Sequence, residues 1–133
     1  MKKAIITAVL IIGILWACFN TLIGLLLLPF YGPHGSVEFR NWTVIVPVRR
    51  AIGNPGAQTW GNLIFVVGTQ PLSDRLFRHE RAHVKQSMFL GPLFLIAYGA
   101  EFLIRLASHP NLGWRHAYFN LSWEKAARDA ELE

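Results

Sequence analysis

His79-Glu80-Arg81-Ala82-His83, flanked by Leu76-Phe77-Arg78 and Val84-Lys85-Gln86, is the stretch on which the reading of this chain turns. Leu76, Phe77 and Val84 recur at helical spacing, and Ser73 or Asp74 offers a side-chain oxygen to the exposed amides of a first turn. A helix is predicted from there to near Leu90, where Gly91-Pro92 ends it, because proline lacks an amide and clashes with the preceding turn. On a helix, residues four apart share a face. Both imidazoles can therefore address one tetrahedral zinc ion. Glu80 is displaced around the helix from His79, so its carboxylate can take the proton of a zinc-activated water and pass it to a leaving amine. The pattern is H-E-x-x-H.

A catalytic zinc ion normally has three protein ligands and leaves the fourth place to water. The preferred third ligand is Glu124, in Ser122-Trp123-Glu124-Lys125-Ala126-Ala127, whose small neighbours allow two helices to approach closely. His116, His109 and Asp129 compete for that place. For stabilising a developing oxyanion, Tyr118 or His116 can donate a hydrogen bond.

Upstream, Val37 to Val48 is rich in aromatic and β-branched residues, with Trp42-Thr43-Val44-Ile45-Val46 as its strand core and Pro47 marking an edge or an end. Ile52-Gly53-Asn54-Pro55-Gly56 reads as a turn. Asn62-Leu63-Ile64-Phe65-Val66-Val67 is a second strand closed by Gly68. Two strands joined this way predict a hairpin or small antiparallel sheet. Downstream, a second helix is expected from Leu93 to Leu106, buried or interfacial, with Glu101 and Arg105 spaced to pair. A loop at Ser108 to Gly113 follows, and a last helix runs from about Tyr118 with Asn120 or Ser122 as its cap. The fold class is α+β, with three helices after the sheet and the site helix first among them.

The N-terminal end differs in character. Ala4 to Leu28 carries no charged residue and exceeds the roughly 20 residues a helix needs to cross a bilayer. A secretory signal has a shorter apolar core and a small-residue cleavage site, whereas Pro29-Phe30-Tyr31 resembles an interfacial exit. Residues 1–30 are thus expected to be a transmembrane anchor and 31–133 a single domain. Lys2 and Lys3 favour an inner N-terminus and a domain on the outer side, in a single-pass arrangement. The formal charge of +5 among 133 residues is spread singly or in pairs, which points to an anionic membrane surface and not to nucleic acid. Cys18 stands alone, so no intrachain disulfide forms.

The stretches Thr59 to Ile64, Leu76 to Gln86, Leu90-Gly91-Pro92 and Tyr118 to Ala127 together resemble the compact gluzincin-type, minigluzincin-like metallopeptidases, over residues 59–133. The resemblance implies His79 and His83 as zinc ligands, Glu80 as general base, Glu124 as third ligand and Asn62 to Val67 as the sheet edge that receives an extended peptide. Two features depart from the pattern. Arg81 stands inside the signature, and no Asp follows Glu124 by four residues to orient a histidine. The reading leans to an enzyme, a membrane-anchored zinc endopeptidase acting on a peptide or protein. Its alternative is a non-catalytic membrane accessory subunit that keeps a peptidase-like fold, within a larger complex. An interfacial lipid-active factor is a third class, resting only on charge and amphipathicity.

Overall fold

A computed structural model describes residues 2–53, 55–68 and 71–132. The chain folds as a mixed α+β structure. Two helices, α1 (Lys2–Trp16) and α2 (Cys18–Tyr31), lead into strands β1 (Glu38–Arg40), β2 (Thr43–Val48), β3 (Ala57–Trp60) and β4 (Leu63–Val67). Four helices follow: α3 (Asp74–Leu90), α4 (Leu93–Ser108), α5 (Gly113–Phe119) and α6 (Ser122–Asp129), with short 3₁₀ turns at Pro110–Leu112 and Ala130–Leu132.

The sheet is mixed, in the order β1-β2-β4-β3, which corrects the expected antiparallel sheet. β2 and β4, the two strands read from the sequence, run parallel from Val44 beside Leu63 to Val48 beside Val67. They are not partners in a hairpin. Each has its own antiparallel neighbour, β1 for β2 and β3 for β4. The stretch Val37 to Val48 is itself a hairpin, turned at Asn41 and Trp42, both at positive φ, the backbone that a two-residue turn between twisted strands requires. The turn expected at Ile52 to Gly56 includes Asn54, outside the described residues.

Period-two alternation gives the sheet two apolar faces. Val46, Val48, Leu63 and Phe65 pack under Leu27, Leu28 and Tyr31 of α2. Ile45, Ala57, Ile64 and Val66 pack against Phe77 and Val84 of α3. The sheet is thus clamped between α2 and the site helix. Phe65 is wholly buried, and truncating such a side chain to alanine costs about 3–5 kcal/mol.

The expected anchor is not one straight rod. No single described helix is long and apolar enough to cross a membrane; α1 and α2 pass that test only together, bent by 52°. The bend sits where Thr21 donates its hydroxyl back to the Ala17 carbonyl, a bond that tilts helices. The same hydroxyl accepts from the Asn62 amide at the start of β4. Gly61 must be glycine there: it has φ of 61°, and a side chain would strike Thr21 and Ala17. One side of α2 therefore belongs to the core of the domain.

The site helix is as predicted. Ser73 caps it by accepting from the Leu76 amide, and Gly91 ends it. The last predicted helix is broken in two at Asn120 and Leu121. Neither Asn120 nor Ser122 is the side-chain cap; the cap of α6 comes from α4, where Glu101 accepts from both the Ser122 amide and the Ser122 hydroxyl. Four α-helices follow the sheet where three were expected.

Candidate metal centre

Helix α3 turns the spacing of His79 and His83 into proximity. Their rings stand edge to face with centroids 5.0 Å apart. Helix α6 crosses beside them, its approach permitted by the wholly buried Ala127, and brings in Glu124, which is 2% exposed. His79 Nε2 lies 3.3 Å from Glu124 Oε2, and His83 Nε2 lies 3.2 Å from Glu124 Oε1. These three side chains form a group whose ligand atoms lie within 4.8 Å of one another and which can hold a metal ion. The spacing fits the donor set: two atoms each 2.0–2.1 Å from one tetrahedral ion stand about 3.3 Å apart.

Of the competing ligands, His109 and His116 face each other on the surface with ring centroids 5.7 Å apart, and Asp129 is exposed. Arg81 lines a notch with Leu10, Trp42 and Lys85, none of which belongs to the ligand cluster.

Glu80 is 4% exposed and points to the sheet, where the Thr59 hydroxyl of β3 donates to its Oε2 at 2.6 Å. Burial pushes its carboxyl above the usual range, against the opposing pull of His83 and the Thr59 bond. Burial works to lower both histidines, yet both end above the ordinary imidazole value because Glu124 bonds to each and the negative charges around them favour the cation. Glu124 is held well below the usual carboxylate range: burial opposes this, and the bonds from His79 and His83 prevail. The bonds that raise the histidines and depress Glu124 draw the three side chains together.

Tyr118 is half-buried, and its phenol is raised by burial and then by the charges of Glu124 and Glu80, which places it in the field of the cluster. Tyr98 of α4 donates to Glu124 Oε1 at 2.6 Å. Three further partners surround the cluster: Glu131 beside His79 Nδ1 at 2.9 Å, Gln86 beside His83 Nδ1 at 2.8 Å, and Thr59 on Glu80. Gln86 carried a signal, three residues after His83 on the same helix. Tyr98, Glu131 and Thr59 reach the site only through the tertiary fold.

The strand expected to receive a peptide is corrected. β4 is interior, between β2 and β3, and the sheet edge nearest the site is β3, which pairs with β4 on one side only.

No protein-family model, no curated protein and no solved structure matches the chain.

Proposed function

We propose that the protein is a zinc-dependent metallopeptidase of the compact gluzincin kind, attached to a membrane by its N-terminal helices. The observation that carries this reading is the convergence of His79, His83 and Glu124 on one point, with Glu80 buried alongside and tied to an edge strand through Thr59. Two imidazoles and a carboxylate are a normal zinc donor set. The ion, when bound, polarises a carbonyl and makes water acidic enough to attack near neutral pH. The chain's own part follows from its geometry. An extended peptide lying along β3 passes beside Glu80. Glu80 accepts a proton from the attacking water and hands it to the leaving amine, a task suited to a carboxylate raised by burial. Tyr118 supports the developing negative charge on the carbonyl oxygen.

Membrane attachment is supported by exposed apolar surface. Ile5, Ile6, Val9, Ile12 and Leu15 of α1 and Phe19, Leu22, Leu26 and Phe30 of α2 are exposed, and clustered exposed apolar side chains mark surfaces that meet a membrane or a partner. The bilayer takes α1 and the outer side of α2, and the charges of Lys2 and Lys3 favour a domain on the outer side.

A second reading, a non-catalytic membrane subunit that keeps the fold, draws on the closure of the cluster: the His79, His83 and Glu124 side chains are only 12%, 8% and 3% exposed. Peptide hydrolysis separates the two. The zinc-loaded protein is expected to cleave members of a broad peptide library, and Glu80→Gln to keep its metal while losing turnover. A zinc-loaded wild type that cleaves nothing supports the subunit.

A further inference from the structure

His79 and His83 each offer a metal only one ring nitrogen, Nε2, and that nitrogen serves as a ligand only when the ring's proton is on Nδ1. Something must hold it there. No aspartate stands four residues beyond Glu124 to do so. Resting on the metal-centre reading above, we propose that Gln86 and Glu131 are positioning residues that lock both histidines as Nδ1–H tautomers and so present both Nε2 atoms to the ion.

For His83 the argument is one of elimination. Gln86 has one donor and one acceptor end, and Gln86 Nε2 lies 3.1 Å from the Trp123 carbonyl oxygen. A carbonyl can only accept, so the amide nitrogen must face Trp123 and the amide oxygen must face His83. That oxygen, 2.8 Å from His83 Nδ1, requires a proton on Nδ1. The same amide grips the backbone of α6 one residue before Glu124. Gln86 thus fixes the tautomer of one ligand and the position of another.

For His79 the partner is Glu131, whose ionised carboxylate also only accepts. Glu131 Oε1 is 2.9 Å from His79 Nδ1, while Oε2 takes the Arg75 guanidinium at 2.5 Å. Arg78 holds the segment from the other side, donating to the Glu131 backbone carbonyl at 3.0 Å. Two arginines from the first turns of α3 therefore aim Glu131 at a histidine of the same helix. On both rings the Nδ1 contact is shorter than the Nε2 contact to Glu124, 2.9 against 3.3 Å and 2.8 against 3.2 Å. A carboxylate or amide behind a metal-bound imidazole orients the ring and raises its basicity, and removing one typically costs about 10–100-fold in metal affinity.

The test uses ¹⁵N-histidine NMR on the full chain at alkaline pH, metal-free and zinc-loaded, with zinc affinity measured beside it. In the zinc-loaded wild type both rings are expected to carry their proton on Nδ1, held by Gln86 and Glu131, and to leave Nε2 to the ion. Gln86→Leu and Glu131→Leu should each leave one Nδ1–H of the zinc-loaded protein exchanging faster with water and weaken zinc about 10–100-fold. Glu131→Gln keeps a neutral acceptor and should restore most of the loss, which a purely packing role would not produce. Should a leucine variant not fold, Gln86→Ala and Glu131→Ala carry the same comparison. Nδ1 protons that exchange freely in zinc-loaded wild type, or leucine variants with unchanged Nδ1–H exchange and unchanged zinc affinity, overturn the proposal. If wild type takes up no zinc, the metal-centre reading falls and this proposal with it; zinc bound at wild-type affinity by both leucine variants overturns this proposal alone.

Discussion

Glu101 of α4 and Ser122 of α6 are joined by two hydrogen bonds, from the Ser122 amide at 2.9 Å and its hydroxyl at 2.6 Å. Arg105 holds the same carboxylate from one turn along α4, at 2.8 Å. The start of the helix that carries Glu124 is therefore fixed from outside that helix. Glu101→Ala is expected to remove this cap, at about 1 kcal/mol in stability, and to weaken metal binding in proportion as α6 frays. Denaturant unfolding and zinc titration of the same variant check it. A destabilised protein with full zinc affinity would show that α6 is held by its other contacts.

The bond between Thr59 and Glu80 has a consequence for pH. Burial raises the Glu80 carboxyl and the Thr59 hydroxyl pulls it down. Thr59→Val removes the opposing effect, so the carboxyl rises further. The base must be ionised to act. The acidic limb of the pH–rate profile should therefore move to higher pH in Thr59→Val, with kcat on the plateau lower than in wild type. An unmoved limb would mean that Glu80 is not the group titrating there.

Metal uptake and pH are linked through the cluster. In the metal-free protein both histidines are raised above their ordinary value of 6.5, so the stability they contribute is full below 6.5 and is lost as pH rises through their folded values. Glu124 is depressed, so its contribution is present above its ordinary value of 4.5 and is lost as pH falls through its folded value. Zinc requires neutral imidazoles and displaces their protons. The rise in Tm on adding zinc should thus be small at mildly acid pH and grow as pH increases past the histidine values. Melting curves with and without zinc across that range test the sign; a zinc increment independent of pH would place the ion elsewhere.

Tyr98 donates to the ligand Glu124 without being a ligand itself. Tyr98→Phe leaves a buried carboxylate one donor short, and a hydrogen bond to a charged group is worth about 1.5–3 kcal/mol. The expected result is a loss of roughly 10-fold or more in zinc affinity with the fold intact, measured by competition with a chromogenic chelator. Unchanged affinity would show that the two histidines alone satisfy Glu124.

The site was more legible in the sequence than the sheet. His79, Glu80 and His83 are local to one helix, where spacing alone dictates a shared face. Glu124 is legible because small residues on a later helix permit close packing, and Ala127 is wholly buried there. The sheet is illegible at Ala57-Gln58-Thr59-Trp60, which forms β3 although its residues show no apolar alternation, being stabilised by pairing with β4 and by contact with α3. Without that strand, β2 and β4 have the pattern of hairpin partners. Similarly, Asn41 and Trp42 divide what reads as one strand, because a tryptophan at positive φ is a poor turn signal. Glu131, Gln86 and Tyr98 supply the support that a shorter spacing after Glu124 would have announced. Gln86 is local to the site helix, but the roles of Glu131 and Tyr98 depend on how the C-terminal turn and α4 pack beside the cluster, which no local pattern encodes.

The central claim is that His79, His83 and Glu124 bind one zinc ion, and metal analysis of the zinc-loaded, exhaustively dialysed full chain beside Glu124→Ala tests it most directly. Wild type is expected to retain one zinc per chain and Glu124→Ala to lose it. A wild type that retains none, or a Glu124→Ala protein that stays fully occupied, would contradict the account.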